Sequence, residues 1–108
     1  MNSCKYVDKS KFIGTWHFVS FVNEGKDQLR SHKIQLEFDD DGFFSMAWDS
    51  KDKKMGKWSL LGDNEISLIQ INNPDNPFIG SYSFNSGLLT IKGGVDKEYV
   101  VWILTKEL

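Results

Sequence analysis

Apolar side chains in this chain recur at every second position, which is the spacing of β-strands and not of helices. Residues 33–39 show the pattern without error, since Ile34, Leu36 and Phe38 alternate with polar or charged residues. Comparable short segments follow from Gly14 onward, separated by polar turns. The spacing predicts eight strands, over residues 14–22, 33–39, 44–49, 56–61, 65–71, 79–85, 88–92 and 99–105.

The predicted turns are short, which restricts how the strands can connect. Asp40, Asp41 and Gly42 form an Asp-Gly hairpin signal between two alternating segments. Residues 50–54 read as a charged turn, and residues 72–77 read as an irregular connection because they contain two prolines and three asparagines. Eight strands joined in this way remove their unpaired edges by closing into a ring. We therefore predict an all-β fold, an eight-stranded up-and-down antiparallel β-barrel of reduced size.

The length and charge of the chain limit what else it can be. With 108 residues there is room for one domain, which we place at residues 12–108 behind a flexible N-terminal tail at residues 1–11. The net charge of −2 gives no basic field for nucleic acid. No apolar run reaches the roughly 18 residues of a membrane span. The sequence as written predicts a cytoplasmic protein; the alternative is a periplasmic or surface lipoprotein, if a signal ending at Cys4 has been trimmed.

Large side chains dominate the predicted inner face of the barrel, because 14% of the residues are aromatic. The residues that the alternation places inside are Trp16, Phe18, Ile34, Leu36, Phe38, Phe44, Met46, Trp48, Trp58, Leu60, Ile66, Leu68, Tyr82, Phe84, Leu89, Ile91, Val100, Trp102 and Leu104. An eight-stranded barrel is either filled by its own side chains or able to hold one small ligand. The sequence leaves these two possibilities open, together with the ligand's identity and the oligomeric state.

Residue patterns typical of catalysis or metal binding are absent from the sequence. His17 and His32 are the only histidines, and neither has the spacing of a metal site. The acidic run at residues 39–42 lacks the spacing of a calcium loop, so the hairpin turn explains it. No Gly-x-Ser-x-Gly nucleophile elbow is present. We expect a protein that is not an enzyme and that uses no metal and no cofactor.

Three short motifs resemble those of the calycin superfamily, especially its small bacterial lipocalin-like domains. They are GTW at residues 14–16, GKWSLLGD at residues 56–63 and WILTK at residues 102–106. The resemblance spans residues 12–106, nearly the whole chain. It implies that a first-strand tryptophan closes one end of the barrel while a basic residue of the last strand packs across it. By position these are Trp16 and Lys106, and we assign barrel-end closure to them together with Gly14 and Trp102.

The resemblance and the inner face together lead to two functional hypotheses. The first is binding of a small hydrophobic molecule in a shallow, aromatic-lined barrel mouth, with a predicted ligand set of Phe18, Phe38, Phe44, Met46, Trp48, Trp58, Tyr82 and Phe84. The alternative is a protein-interaction module of the inhibitor or immunity type, with a filled barrel and binding loops. Two features suggest it: the stiff loop at residues 72–77, and four apolar residues predicted to face outward, which are Val19, Phe21, Phe43 and Ile69.

Overall fold

The structure, a computed structural model, describes residues 9–23, 26–27, 33–49, 51–62, 64–94 and 99–106. Within them a single 3-10 turn, Lys9–Lys11, precedes nine strands. The strands are β1 (Gly14–Asn23), β2 (Lys26–Asp27), β3 (Ile34–Phe38), β4 (Phe43–Trp48), β5 (Asp52–Leu61), β6 (Glu65–Gln70), β7 (Asn73–Asn85), β8 (Leu88–Gly94) and β9 (Val100–Thr105). Residues 1–8 of the predicted tail, including Cys4, and His32 lie outside the described residues.

Eight of these strands form a closed ring. From β3 to β9 each strand pairs antiparallel with the next along the chain, and β1 pairs with both β3 and β9. The two-residue strand β2 only extends the end of β1 as a short ribbon. The predicted eight-stranded up-and-down antiparallel barrel is therefore confirmed.

Strand β1 pairs with two strands, and each of them pairs with a different part of β1. Its first residues, Gly14 to His17, pair with β3, and His17 to Asn23 pair with β9. The β9 register shifts between Phe18 and Ser20, which marks a bulge at Val19. One extra residue reverses the inside-outside alternation beyond it. Phe21, predicted to face outward, is consequently buried in the core, and that prediction was wrong.

The core fills the ring with the residues that the alternation selected. Most of the predicted inner set is buried, while Trp48, Leu60 and Tyr82 are partly buried. Phe84 is the exception, with 37% of its surface exposed at one end of the barrel. Phe12, which precedes the first predicted strand, is fully buried and was missed.

Two strands begin earlier than their composition indicated. β5 starts at Asp52, and its Lys53 and Lys54 pair with Ala47 and Met46 of β4. Residues 52–54, predicted to belong to a charged turn, are therefore part of the strand. Strand pairing uses backbone groups, so charged residues are tolerated where a strand ends at the barrel rim.

β7 starts at Asn73, within the segment predicted to be irregular. Its register with β6 passes from Leu68 opposite Phe78 to Gln70 opposite Asn73. Residues 74–77 thus stand opposite Ile69 alone and bulge out of the ladder. The two prolines fall in this bulge, where no ladder hydrogen bond is lost.

Gly56 lies where two strands approach too closely for any side chain. A Cβ atom there would lie 2.0 Å from the Ile69 carbonyl oxygen and 2.8 Å from Phe44 Cε1. Both the β6 backbone and a core ring would have to move. This packing accounts for the first glycine of the GKWSLLGD motif, at position 56.

We expect Gly56→Ala to lower the free energy of unfolding by about 2 to 4 kcal/mol, since overpacking a core costs about 1 to 3 kcal/mol and backbone adds to it here. Urea denaturation followed by tryptophan fluorescence measures the change. Ser59→Ala, at an exposed position of the same strand, is the control and should change stability by less than about 0.5 kcal/mol. Equal stability of the two variants would contradict the close approach at Gly56.

Candidate functional site

The two ends of the barrel differ in what covers them. At the closed end, Phe12 directly follows the 3-10 turn and contacts four aromatic rings. Its ring centroid lies 4.9 Å from that of Tyr82, 5.0 Å from Phe84, 5.6 Å from Trp58 and 5.7 Å from Phe38. Four members of the predicted ligand set therefore pack around a residue of the chain itself.

The backbone before β1 is held at this end by Trp16 and Lys106. Trp16 Nε1 donates a hydrogen bond to the Phe12 carbonyl oxygen at 2.9 Å. Lys106 Nζ donates to the Ile13 carbonyl oxygen at 2.7 Å and lies 5.1 Å from the centroid of the Trp16 ring. Gly14, with φ of +125°, turns the chain beneath the Lys106 side chain. Three of the four residues assigned to barrel closure thus meet here.

Two further lysines cover aromatic rings at the closed end. Lys9 Nζ lies 5.0 Å from the Trp58 ring centroid, and Lys11 Nζ lies 5.8 Å from that of Phe84. An open outer groove of about 480 Å³ runs beside them, lined by Lys11, Trp16, Phe84, Ser86, Gly87, Thr105 and Lys106. The Lys11 stem shields the partly exposed Phe84 ring while its ammonium group stays in water.

The opposite end, which we call the mouth, contains a cavity of about 150 Å³. Its lining is mostly apolar and consists of Phe21, Phe44, Met46, Trp48, Lys54, Leu68, Gln70, Asn76, Phe78 and Trp102. From the predicted ligand set, Phe44, Met46 and Trp48 line it, and Phe18 packs directly behind it against Phe21 and Trp102. Trp102, which was assigned to barrel closure, belongs to the mouth instead.

Aromatic rings form one wall of the mouth cavity. Phe78 and Trp102 stack in parallel, with centroids 4.6 Å apart and an angle of 6° between the planes. Phe21 meets Trp102 at 5.6 Å and meets Trp48 edge-on at 5.5 Å. Such surfaces favour a flat apolar molecule, which can lie against the faces and edges of the rings.

A few polar groups interrupt this apolar lining. Lys54 and Gln70 reach the cavity from β5 and β6, and Asn76 reaches it from the bulge of β7. Trp102 Nε1 is buried, and no described residue accepts a hydrogen bond from it. Sequence reasoning missed five lining residues, which are Phe21, Lys54, Gln70, Asn76 and Phe78. Two-residue alternation would have found Lys54 backward from Trp58 and Gln70 forward from Leu68. The bulges at Val19 and at residues 74–77 leave no comparable signal for the others.

Other polar clusters are explained by local structure. Asp39 Oδ1 accepts hydrogen bonds from the backbone N–H groups of Asp41 at 3.1 Å and Phe43 at 3.0 Å, which stabilises the hairpin turn. Half-buried His17 has Gln35 Nε2 at 3.3 Å from its Nδ1. Across the described part of the chain, no group of three His, Cys, Asp or Glu residues is placed to hold a metal ion. In that same part, no helix is long and apolar enough to cross a membrane.

Comparison with known proteins assigns no family to the chain. No family model matches it, and no curated protein sequence is significantly similar to it. The closed eight-stranded antiparallel barrel is consistent with a lipocalin-like or calycin-like fold.

We expect Lys106→Ala to lower the free energy of unfolding by about 1 to 2 kcal/mol, because it removes a hydrogen bond and a cation–π contact. Lys106→Arg should retain most of the stability, since a guanidinium can make both contacts. Lys51→Ala removes the same charge from an exposed turn and should cost less than about 0.5 kcal/mol. Thermal and urea denaturation compare the three variants, and equal losses for the two alanine variants would rule out a specific role for Lys106.

Proposed function

We propose that the chain is a non-enzymatic, lipocalin-like barrel that binds a small hydrophobic molecule in the mouth cavity. The proposal includes membership of the calycin superfamily, close to its small bacterial lipocalin-like domains. The three motifs support it, as does the contact of Lys106 with Trp16. The observation that carries the proposal is the apolar cavity between Phe21, Met46, Leu68 and Trp102.

The size of the cavity limits the ligand. An apolar cavity of about 150 Å³ accommodates a molecule of the size of benzene. The closed end is filled by Phe12 and its neighbours, so a long acyl chain cannot extend down the barrel axis. A single six-membered ring with one or two short substituents fits the space best. Lys54 is the one ionisable side chain among the described residues of the lining, which favours binding over acid-base catalysis.

Filling the cavity tests this function. We expect Met46→Trp to weaken benzene binding at least tenfold, because the indole occupies the space that the ligand needs. Met55→Trp makes the same replacement at an outward position that is 55% exposed, and it should leave the affinity unchanged. Ligand-detected NMR titration measures both dissociation constants. Benzene binding that is absent from the wild type, or equal in the two variants, would refute a ligand site in the mouth.

A second candidate function, contact with a protein partner, rests on the outer wall. Of the four residues that suggested it, Phe21 is buried and Val19 lies on β1. Phe43 on β4 and Ile69 on β6 are the two register partners of Lys57, which lies between them on β5. Near the latter two, Met55 and Ile71 are 55% and 59% exposed, and the Ile71 N–H donates to the Met55 carbonyl oxygen at 2.9 Å. Adjacent exposed apolar side chains of this kind are typical of contact surfaces.

Site-specific photo-crosslinking in the source cells tests the second candidate. A photoreactive residue at position 55 should capture a defined protein, whereas the same residue at the exposed position 59 of the same strand should not. Equal capture at both positions, or none at position 55, would exclude this part of the wall as a docking surface.

A further inference from the structure

Lys54 belongs to the inner face of the barrel, although it lies in a run of charged residues. On β5 it precedes Gly56 and Trp58 at intervals of two, and Trp58 is buried in the core. Its register partner on β4 is Met46, which also lines the mouth cavity. Lys53 has the opposite orientation and lines an outer groove with Glu37 and Met55. The pleat of β5 therefore sends one of two adjacent lysines to the cavity and the other to the outer wall.

The ammonium group of Lys54 has no partner of opposite charge within the described residues. The other polar side chains of the cavity, Gln70 and Asn76, are neutral. Asn76 Nδ2 already donates to Asn73 Oδ1 at 3.0 Å, at the edge of the β7 bulge. Gln70 sits opposite Gly56, two positions along β5 from Lys54, and its amide can donate a hydrogen bond.

A cation beside an apolar cavity is complementary to an amphipathic anion. The protein as a whole carries a charge of −2, so its long-range field does not attract anions. Attraction has to arise locally, within the roughly 8 Å over which charges act at physiological ionic strength. Lys54 supplies such a local charge, and the apolar lining excludes some of the water that would screen it.

We infer that the mouth cavity takes a small aromatic monoanion of the carboxylate type. The ring lies against Phe78, Trp102 and Phe21, while the carboxylate at the rim pairs with Lys54 Nζ and accepts a hydrogen bond from the Gln70 amide. This inference rests on the proposed binding function and specifies the class of ligand. It also gives a role to the charge at position 54, which the fold does not use.

Three probes of similar size test the inference on the full chain: benzene, benzoate and protonated benzylamine. The wild type should bind benzoate about two- to fivefold more tightly than benzylammonium, the range expected for an exposed ion pair. In Lys54→Met this preference should disappear while benzene still binds, and a cooperative thermal unfolding transition shows separately that the variant is folded. Lys57→Met removes an equal charge from the outer wall and should retain the preference. Calorimetry or NMR titration gives the dissociation constants.

The outcomes separate the ligand class from the binding function. Benzene binding without a preference for benzoate would overturn the inference and leave the proposed function standing. A preference that survives in Lys54→Met would also overturn it, since the anion would then bind elsewhere, for example in the groove beside Lys11 and Lys106. If none of the three probes binds, the proposed function fails and the inference fails with it. A wild-type preference for benzoate that shrinks as salt is raised would support the ion pair.

Discussion

The pairing of β1 with β9 is the contact on which the rest of this structure depends. Without it, the eight long strands would form an open sheet with two unpaired edges and one apolar face in water. Ring closure brings that face inward and lets β1 hold both neighbours along different parts of its length. The bulge at Val19 follows from this double pairing, because it adjusts the register where β1 leaves β3 and joins β9.

A closed barrel has two ends, and the two ends of this barrel are filled to different degrees. At one end, the segment before β1 folds back so that Phe12 fills the space between four other rings, with Trp16 and Lys106 holding its backbone. At the other end the β7 bulge brings Asn76 to the cavity. Space remains between Met46 and Trp102. The same aromatic composition thus produces a filled end and a cavity.

Particular residues show how far periodicity predicts such a barrel. Leu36 and Phe38 were predicted inside from alternation alone and are buried. Phe21 was predicted outside, because a bulge adds a residue without changing the sequence pattern around it. Phe12 was missed because it lies before the first strand, where alternation carries no information. For the site, Phe44 and Met46 were predicted, whereas the β7 bulge that brings Asn76 to the mouth left no signal in the pattern.

The sequence by itself determined the strands, their antiparallel order and most of the inner face, because these depend on local alternation and turn chemistry. The tertiary structure alone decided which end is filled, where the cavity lies and that Phe21 and Asn76 border it. These features depend on bulges and on contacts between residues far apart in the chain, such as Lys106 with Ile13. A pattern with a period of two cannot record where such distant segments meet.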